Sequence, residues 1–340
     1  MRAQQFAVSN NTTHFYFDAS IELLRQLAPP AKSFIITDEN LMLHYEAQFQ
    51  PWNVITIPAG ELSKNIEILD EIIAQLITLN ADRDATIIGI GGGVVTDIAG
   101  FVAGIYKRGV KCGFVPTSIL GMVDAALGGK NGLDMGEYKN MMGLVRQPSF
   151  VLYDYNLLKT LPQAEWVNGF AEIIKHACIL NESMFKHLKK YSLIDFQKDE
   201  NLLADLIEQN VVLKMTIVQE DEMETGVRKL LNFGHTLGHA IENAYNLPHG
   251  HAVSIGMAFA AGVSEDVYGF GNKLEVMALL EKYQLPVKLD FNKKTALSIM
   301  QKDKKKRDNF VDYILLNKVG TASIKSLTIS EIEDYLNLWM

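Results

Sequence analysis

An apolar run, ATIIGI, meets three consecutive glycines, Gly91, Gly92 and Gly93, and passes directly into VVTDIAGFVAGIYK, a second apolar run with helical spacing. A buried strand that turns into a helix through glycines commits this stretch to a parallel α/β arrangement, because parallel strands need helical crossovers to return the chain. SFIITDE, NVITIPA and KCGFVPT are similar short apolar runs ending in Asp, Pro or Gly, as strands buried on both faces do. Between them, Ile66, Leu69, Ile72, Ile73, Leu76 and Ile77 form a helical stripe, and SILGMVDAAL reads as a further apolar helix after a strand. The first half therefore predicts a doubly wound sheet with ligands at the carboxyl ends of its strands.

The pattern changes near LPQAEW (161–166). Beyond it, helical periodicity dominates, in AEIIKHACIL, NLLADLIEQNVVLKMTIVQEDE, AVSIGMAFAAGVSEDVYG and LEVMALLEKYQL. The expected plan is an α/β domain over residues 1–155, a mostly α-helical domain over 156–340, and a cleft between them. With 340 residues and 48% hydrophobic content, both cores can be sizeable. A net charge of −8 argues against a nucleic-acid partner. No uncharged apolar stretch approaches about 18 residues, which argues against a membrane span. The first residues, MRAQQFAVSNNTTHF, do not read as a signal peptide, and Cys112 and Cys178 make no disulfide framework. The expectation is a cytoplasmic enzyme.

Four of the eight histidines, His235, His239, His249 and His251, lie within seventeen residues. His235 and His239 are four apart and share a helix face, and His249 and His251 follow a Pro-containing turn able to fold back over it. Neutral imidazole is the commonest metal ligand, and a catalytic zinc needs only three protein ligands. A satisfied core or surface histidine would account for one of them, less simply for four. Thr236 stands where a zinc protease would need Glu. In NGFAEIIKHACIL, Glu172 and Lys175 lie on one face of an otherwise apolar helix, so the carboxylate is expected to be paired or metal-bound.

The Gly91–Gly93 turn can hold a pyrophosphate or merely be a tight strand–helix connection, since Val94 breaks the dinucleotide fingerprint. Asp97 follows in the first helical turn, and PAGELSKN places Glu61 and Lys64 after another strand end. VDAALGGKNGLDMGEYKN supplies Asp124, Lys130, Lys139 and Asn140, either on a solvated loop or against phosphate and carboxylate groups. Glu224 and Arg228, a helix pitch apart, suit a surface ion pair equally well. KDKKKRD (302–308) is most simply a solvated charge run.

Together these blocks resemble the 3-dehydroquinate synthases, of the sugar-phosphate cyclase family. The resemblance runs through PAGELSKN, GGGVVTDIAGF, YKRG, VPTS, VDAALGGKNG, KNMMG, NGFAEIIKHA, DEMETGVR, LNFGHTLGHAIE, LPHGHAVSIGM and DKK. It implies a Rossmann-like NAD domain joined to a helical metal domain, usually as a homodimer. The implied reaction converts 3-deoxy-D-arabino-heptulosonate 7-phosphate to 3-dehydroquinate and phosphate, through NAD-mediated transient oxidation, elimination, reduction and intramolecular aldol closure, in the shikimate pathway. Carried over by motif, Glu172, His235 and His249 would hold zinc or cobalt. His239 and Glu224 would be acid/base residues, with Lys130, Lys175 and Asn140 also catalytic. Asp124, Lys130, Asn140, Asn168, Lys175, Lys214, Arg228, Asn232 and Lys305 would surround the sugar phosphate, and Arg108 would reach the neighbouring subunit's phosphate pocket. Asp38, Glu61, Lys64, Gly92, Gly93, Val94, Asp97, Thr117, Ser118, Lys139 and Thr160 are the implied NAD contacts.

The chain departs from the commonest family pattern at Thr96, Ala125-Ala126, Tyr138 and His251. These departures keep open a sister cyclase acting on sedoheptulose 7-phosphate. His239 and the Lys139-Asn140 pair favour the dehydroquinate reading. A metal-dependent NAD polyol dehydrogenase would differ by accumulating NADH, and a non-catalytic binding protein by releasing no phosphate.

Overall fold

The computed structural model describes residues 1–136, 138–303 and 310–339. It divides into two compact units, residues 1–165 with 207–223, and residues 166–206 with 224–340. Residues 156–165 and 207–223, grouped by the sequence with the helical domain, thus fall in the first unit.

In the first unit the chain runs β1 (Arg2–Val8), β2 (Asn11–Phe17), α1 (Leu24–Leu27), β3 (Ser33–Asp38), α2 (Glu39–Phe49), β4 (Asn53–Ile57), α3 (Ile66–Thr78), β5 (Thr86–Gly91), α4 (Gly93–Ile105), β6 (Lys111–Pro116), β7 (Lys130–Met135), β8 (Tyr138–Val145) and β9 (Phe150–Leu152). Seven strands form one sheet in the order β1-β2-β9-β6-β5-β3-β4, parallel throughout except for the β1–β2 hairpin. Every residue of β5 is buried, which is why its sequence is a continuous apolar run rather than an alternation. Ile35, Ile88, Ile90 and Val115 fill one core against Leu41, Tyr45 and Phe49 of α2.

Some local expectations are corrected. In α3 only Leu69, Ile72 and Leu76 are buried from the stripe, whereas Ile66 and Ile77 are exposed. The helix expected over SILGMVDAAL is short: residues 119–125 are helical, the last five as the π-helical turn Gly121–Ala125. The polar stretch that follows is not a loop but the antiparallel β7–β8 hairpin. Its Asn131 carboxamide donates to the Gly129 and Arg146 carbonyls, so backbone pairing and side-chain bonds replace the apolar pattern that usually announces a strand.

The remaining elements are α5 (Gln163–Leu180), α6 (Glu182–Lys190), α7 (Leu193–Lys198), α8 (Glu200–Glu220), α9 (His235–Glu242), α10 (His249–Tyr268), α11 (Lys273–Lys282), α12 (Lys293–Asp303), β10 (Phe310–Lys318), β11 (Thr321–Thr328) and α13 (Ile329–Leu338). In the second unit Leu237, Ile241, Ile255, Phe259, Tyr313, Leu315 and Leu336 share one core. The β10–β11 hairpin is an addition to the helical expectation. Gly234 enters α9 with φ 80°, and a Cβ there would lie 2.6 Å from Met257 Cγ and 2.7 Å from the Val253 carbonyl, so only glycine brings α9 this close to α10. No described helix is long and apolar enough to cross a membrane.

Candidate functional site

Each unit gathers a different polar cluster. In the helical unit, α5 carries Asn168, Glu172 and Lys175 at one-turn intervals, α9 opens with His235, and α10 opens with His249. Glu172 is fully buried. Its Oε2 is ion-paired with Lys175, while Oε1 has no hydrogen-bond partner and lies 3.4 Å from His249 Nε2 and 3.6 Å from His235 Nε2. Ligands about 2.1 Å from a tetrahedral zinc ion stand about 3.4 Å apart, so these separations match the edges of such a site. The three ligand atoms all lie within 4.8 Å of one another. A buried carboxylate oxygen with no donor, facing two imidazole nitrogens, is chemically suited to a divalent cation.

The ring orientations agree. His235 Nδ1 lies 3.2 Å from the Phe233 carbonyl and His249 Nδ1 lies 3.3 Å from Glu242 Oε2, which directs both Nε2 atoms toward Glu172. Burial and the neighbouring Lys175 ammonium hold His235 well below the usual histidine range, hence neutral as a ligand must be. Burial alone would raise the Glu172 carboxyl, but Lys175 and the two rings hold it well below the usual carboxylate range. Burial also disfavours charge on His249, yet Glu172 and Glu242 together push its pKa up to about 10. A proton on this ring thus occupies the electrostatic place that a cation can take. The buried Glu242, seven residues after His235 and three after His239, was not singled out from the sequence, although helical spacing put it on the histidine face.

His239 stays outside the Glu172 triad, with its ring centroid 5.1 Å from that of His235 and 6.3 Å from that of His249. It is exposed, and forms a second potential ligand group with Glu242 and His249. His251 is half-buried in α10 and joins no described metal-ligating group. Glu224 and Arg228 do not share a helix: Glu224 has φ 58° and Arg228 sits buried in the 3₁₀ turn Val227–Asn232. An exposed ion pair is therefore not what they form. Asn232 Nδ2 donates to Glu224 Oε1 at 2.5 Å. Asn168, expected beside the sugar phosphate, has its carboxamide oxygen committed to the Gly250 amide. Lys305 lies outside the described residues.

In the α/β unit, candidates collect at strand carboxyl ends. Asp38 ends β3 and caps α2 through Leu41 N, Gly92 and Gly93 follow β5, and Thr117 and Ser118 follow β6. A Cβ on Gly92 would have Ser118 Oγ at 3.4 Å as its nearest neighbour, so its small size leaves a shallow cradle at the start of α4, where Val94 also lies. An anion approaching that helix end meets unhindered backbone N–H groups. Lys64 Nζ lies 2.6 Å from both Asp97 Oδ2 and Asn140 Oδ1, while Asn140 N donates to Asp134 Oδ1. Asn140, assigned by resemblance to the sugar phosphate, is thereby placed with Lys64 and Asp97, two implied cofactor residues. Burial raises the Asp97 carboxyl to about 6 despite Lys64.

Lys139 Nζ is 3.8 Å from Glu61. Thr160 shares a 3.0 Å hydrogen bond with Tyr45. Lys214 binds both the Asp124 carboxylate, at 2.7 Å, and its carbonyl. Lys130 is exposed at the start of β7. Arg108 is exposed too, in a turn where Lys107, Arg108 and Gly109 all have positive φ.

Family models for the 3-dehydroquinate synthase N-terminal and C-terminal regions match residues 54–168 and 169–306. The chain belongs to the 3-dehydroquinate synthase family. It is 40% identical over 321 residues to the 3-dehydroquinate synthase of Bacillus pumilus, covering 91% of this chain and 88% of that one. Among solved structures, it is similar to 2-epi-5-epi-valiolone synthase from Streptomyces hygroscopicus subsp. jinggangensis with NAD+ and Zn2+ bound, at 26% identity, TM-score 0.87 and 99% coverage of both chains. The fold is also that of 2-deoxy-scyllo-inosose synthase complexed with carbaglucose-6-phosphate, NAD+ and Co2+, at 24% identity, TM-score 0.85 and full coverage of both.

Proposed function

We propose that this protein is a cytoplasmic 3-dehydroquinate synthase, a carbon–oxygen lyase that converts 3-deoxy-D-arabino-heptulosonate 7-phosphate to 3-dehydroquinate and phosphate. The observation that carries the reading is the convergence of Glu172, His235 and His249 in a chain matched by both family regions. NAD would supply reversible oxidation of a secondary alcohol, and zinc or cobalt at the Glu172–His235–His249 centre would supply Lewis acidity.

The chain's own residues divide the remaining work. The Gly92–Gly93 turn and the α4 terminus receive the pyrophosphate, and Lys64, Asp97, Lys139, Thr117 and Ser118 orient the cofactor. His239 stands beside the metal-ligating rings without sharing the Glu172 oxygen, which suits it to carry protons. Glu224, fixed by Asn232, is its acid/base companion. Lys175, Lys214, Arg228 and Lys130 supply the fixed positive charge that a carboxylate and phosphate substrate requires. The curated relatives at about 40% identity favour this substrate over sedoheptulose 7-phosphate.

Phosphate release from the heptulosonate phosphate is the direct test. Substoichiometric NAD is expected to support many turnovers with no steady rise in NADH absorbance. Stoichiometric NADH would identify a polyol dehydrogenase, and absence of phosphate release would sink the synthase reading.

From the family resemblance at YKRG we further propose a homodimer in which each subunit lends the exposed Arg108 guanidinium to its neighbour's phosphate pocket. Arg108→Ala and His249→Ala are then each nearly inactive, and co-refolding them restores about a quarter of the sites. No recovery in proven mixed dimers would remove the sharing.

A further inference from the structure

The first turn of α10 carries His249, and like every helix start it presents amide N–H groups that its own backbone cannot satisfy. The preceding residue, Pro248, has no side chain able to cap them. The Gly250 amide instead donates to Asn168 Oδ1 at 2.5 Å, a bond from one helix to another. Asn168 is buried and lies one turn before Glu172 on α5. The contact also depends on Gly250, because a Cβ there would meet Asn168 Oδ1 at 2.8 Å and the Asn168 carbonyl carbon at 2.9 Å. One hydrogen bond therefore ties α5 to α10 beside the place where Glu172 Oε1 and His249 Nε2 stand 3.4 Å apart.

We infer that Asn168 is a positioning residue for the metal centre, a cap supplied by a neighbouring helix that fixes the spacing of Glu172 and His249 rather than a contact to the sugar phosphate. The inference rests on the reading of Glu172, His235 and His249 as metal ligands. Burial makes the bond consequential: water cannot replace Asn168 at the Gly250 amide, so losing the acceptor leaves a buried donor and frees the first turn of α10 to shift. Outer partners of this kind change metal affinity about 10–100-fold.

The test measures zinc affinity by competition against a chelator, on full-length protein without NAD or substrate. Asn168→Ala is expected to bind zinc about 10–100-fold more weakly. Asn168→Asp, which keeps an acceptor oxygen, should stay within a few-fold of the unaltered chain. Asn181→Ala is the control, since Asn181 caps α6 through Met184 N away from the ligands. It should lower the melting temperature comparably while leaving zinc affinity unchanged. Gly250→Ala pushes the two helices apart with Asn168 intact, and keeps the question answerable if Asn168→Ala does not fold; the same loss of affinity is expected.

With cobalt, the visible absorption of the Asn168→Ala protein should shift as the ligand geometry relaxes, whereas that of Asn181→Ala should not. Unchanged zinc affinity in Asn168→Ala or Gly250→Ala, or an equal loss in Asn181→Ala, overturns the inference. If Glu172→Gln binds zinc as tightly as the unaltered chain, the metal reading itself is what fails.

Discussion

In the α/β unit, Lys64 is wedged between Asp97 and Asn140, 2.6 Å from each, and Asn140 is tied onward to Asp134. In the helical unit, Glu172 Oε1 makes no well-formed hydrogen bond and faces two imidazole nitrogens at 3.4 and 3.6 Å, so that the positive charge it meets there is a proton on His249. Both clusters bury charge, yet only the first completes its own hydrogen bonds. A cluster satisfied within itself can stand without its ligand and exchange one set of partners for another when the ligand arrives. A carboxylate oxygen left open is costly to bury, and its cost is recovered when a cation binds. The helical cluster should therefore be the one whose stability follows its ligand.

The largest expected effect is removal of the metal. Dialysis against a chelator should abolish activity and zinc or cobalt should restore it; an active metal-free preparation breaks the comparison at its root. Zinc at about 1,000 times its dissociation constant should stabilise the fold by about 4 kcal/mol, seen as a rise in melting temperature that Glu172→Gln eliminates. His249→Ala should lose the metal, whereas His239→Ala should retain it and slow turnover. Equal metal loss in both would end the division between ligand and proton carrier.

A smaller effect is expected from Lys64. Burial opposes its charge, but the attraction and hydrogen bond of Asp97, added to the nearby Glu61 and Asp134, together hold it above the usual lysine range. Lys64→Met leaves the half-buried Asp97 without its cation and should destabilise the NAD-free protein by about 1–3 kcal/mol in denaturant unfolding. The double variant Lys64→Met/Asp97→Asn should recover most of that, since the orphaned charge is gone. If the double variant is as unstable as the single, the cluster is not the self-contained pair described.

The smallest effect is a pH dependence. Asp97 titrates near 6 in the fold against about 3.8 unfolded. As pH rises from about 4 to about 6, the unfolded chain ionises this group before the folded one does, so stability falls across that window and the loss is complete above it. Asp97→Asn should remove this component, so the variant gains on the unaltered chain as pH rises from 4 to 6.5 in thermal unfolding without NAD. A difference independent of pH would show that Lys64 keeps Asp97 ionised throughout.

Much of this architecture was legible in the chain. The fully buried β5, the glycine turn and α4 follow from an apolar run that no amphipathic surface strand would carry. The histidine face of α9 follows from a spacing of four. The β7–β8 hairpin was not legible, because its polar and small residues are held by backbone pairing and by contacts remote in sequence; the β1–β2 hairpin and the β10–β11 pair bury apolar residues such as Phe15, Phe17, Val311 and Leu315, but each packs through pairing that only the fold supplies. Arg228 shows the limit for sites: its spacing from Glu224 suggested a surface ion pair, yet a left-handed Glu224 and a tight turn bury it.

What the sequence determined by itself was the inventory: which strands are buried, where helices start, and that a carboxylate and several imidazoles are available for a metal. Tertiary structure decided which of them meet. Glu172 lies 63 and 77 positions before His235 and His249, and only the packing of α5, α9 and α10 brings their ligand atoms within 4.8 Å. The same packing places His239 in a second candidate group with Glu242 and His249 rather than with Glu172. Periodicity fixes which face a side chain occupies, but the distance between faces is set by glycines, caps and core volume that no single segment contains.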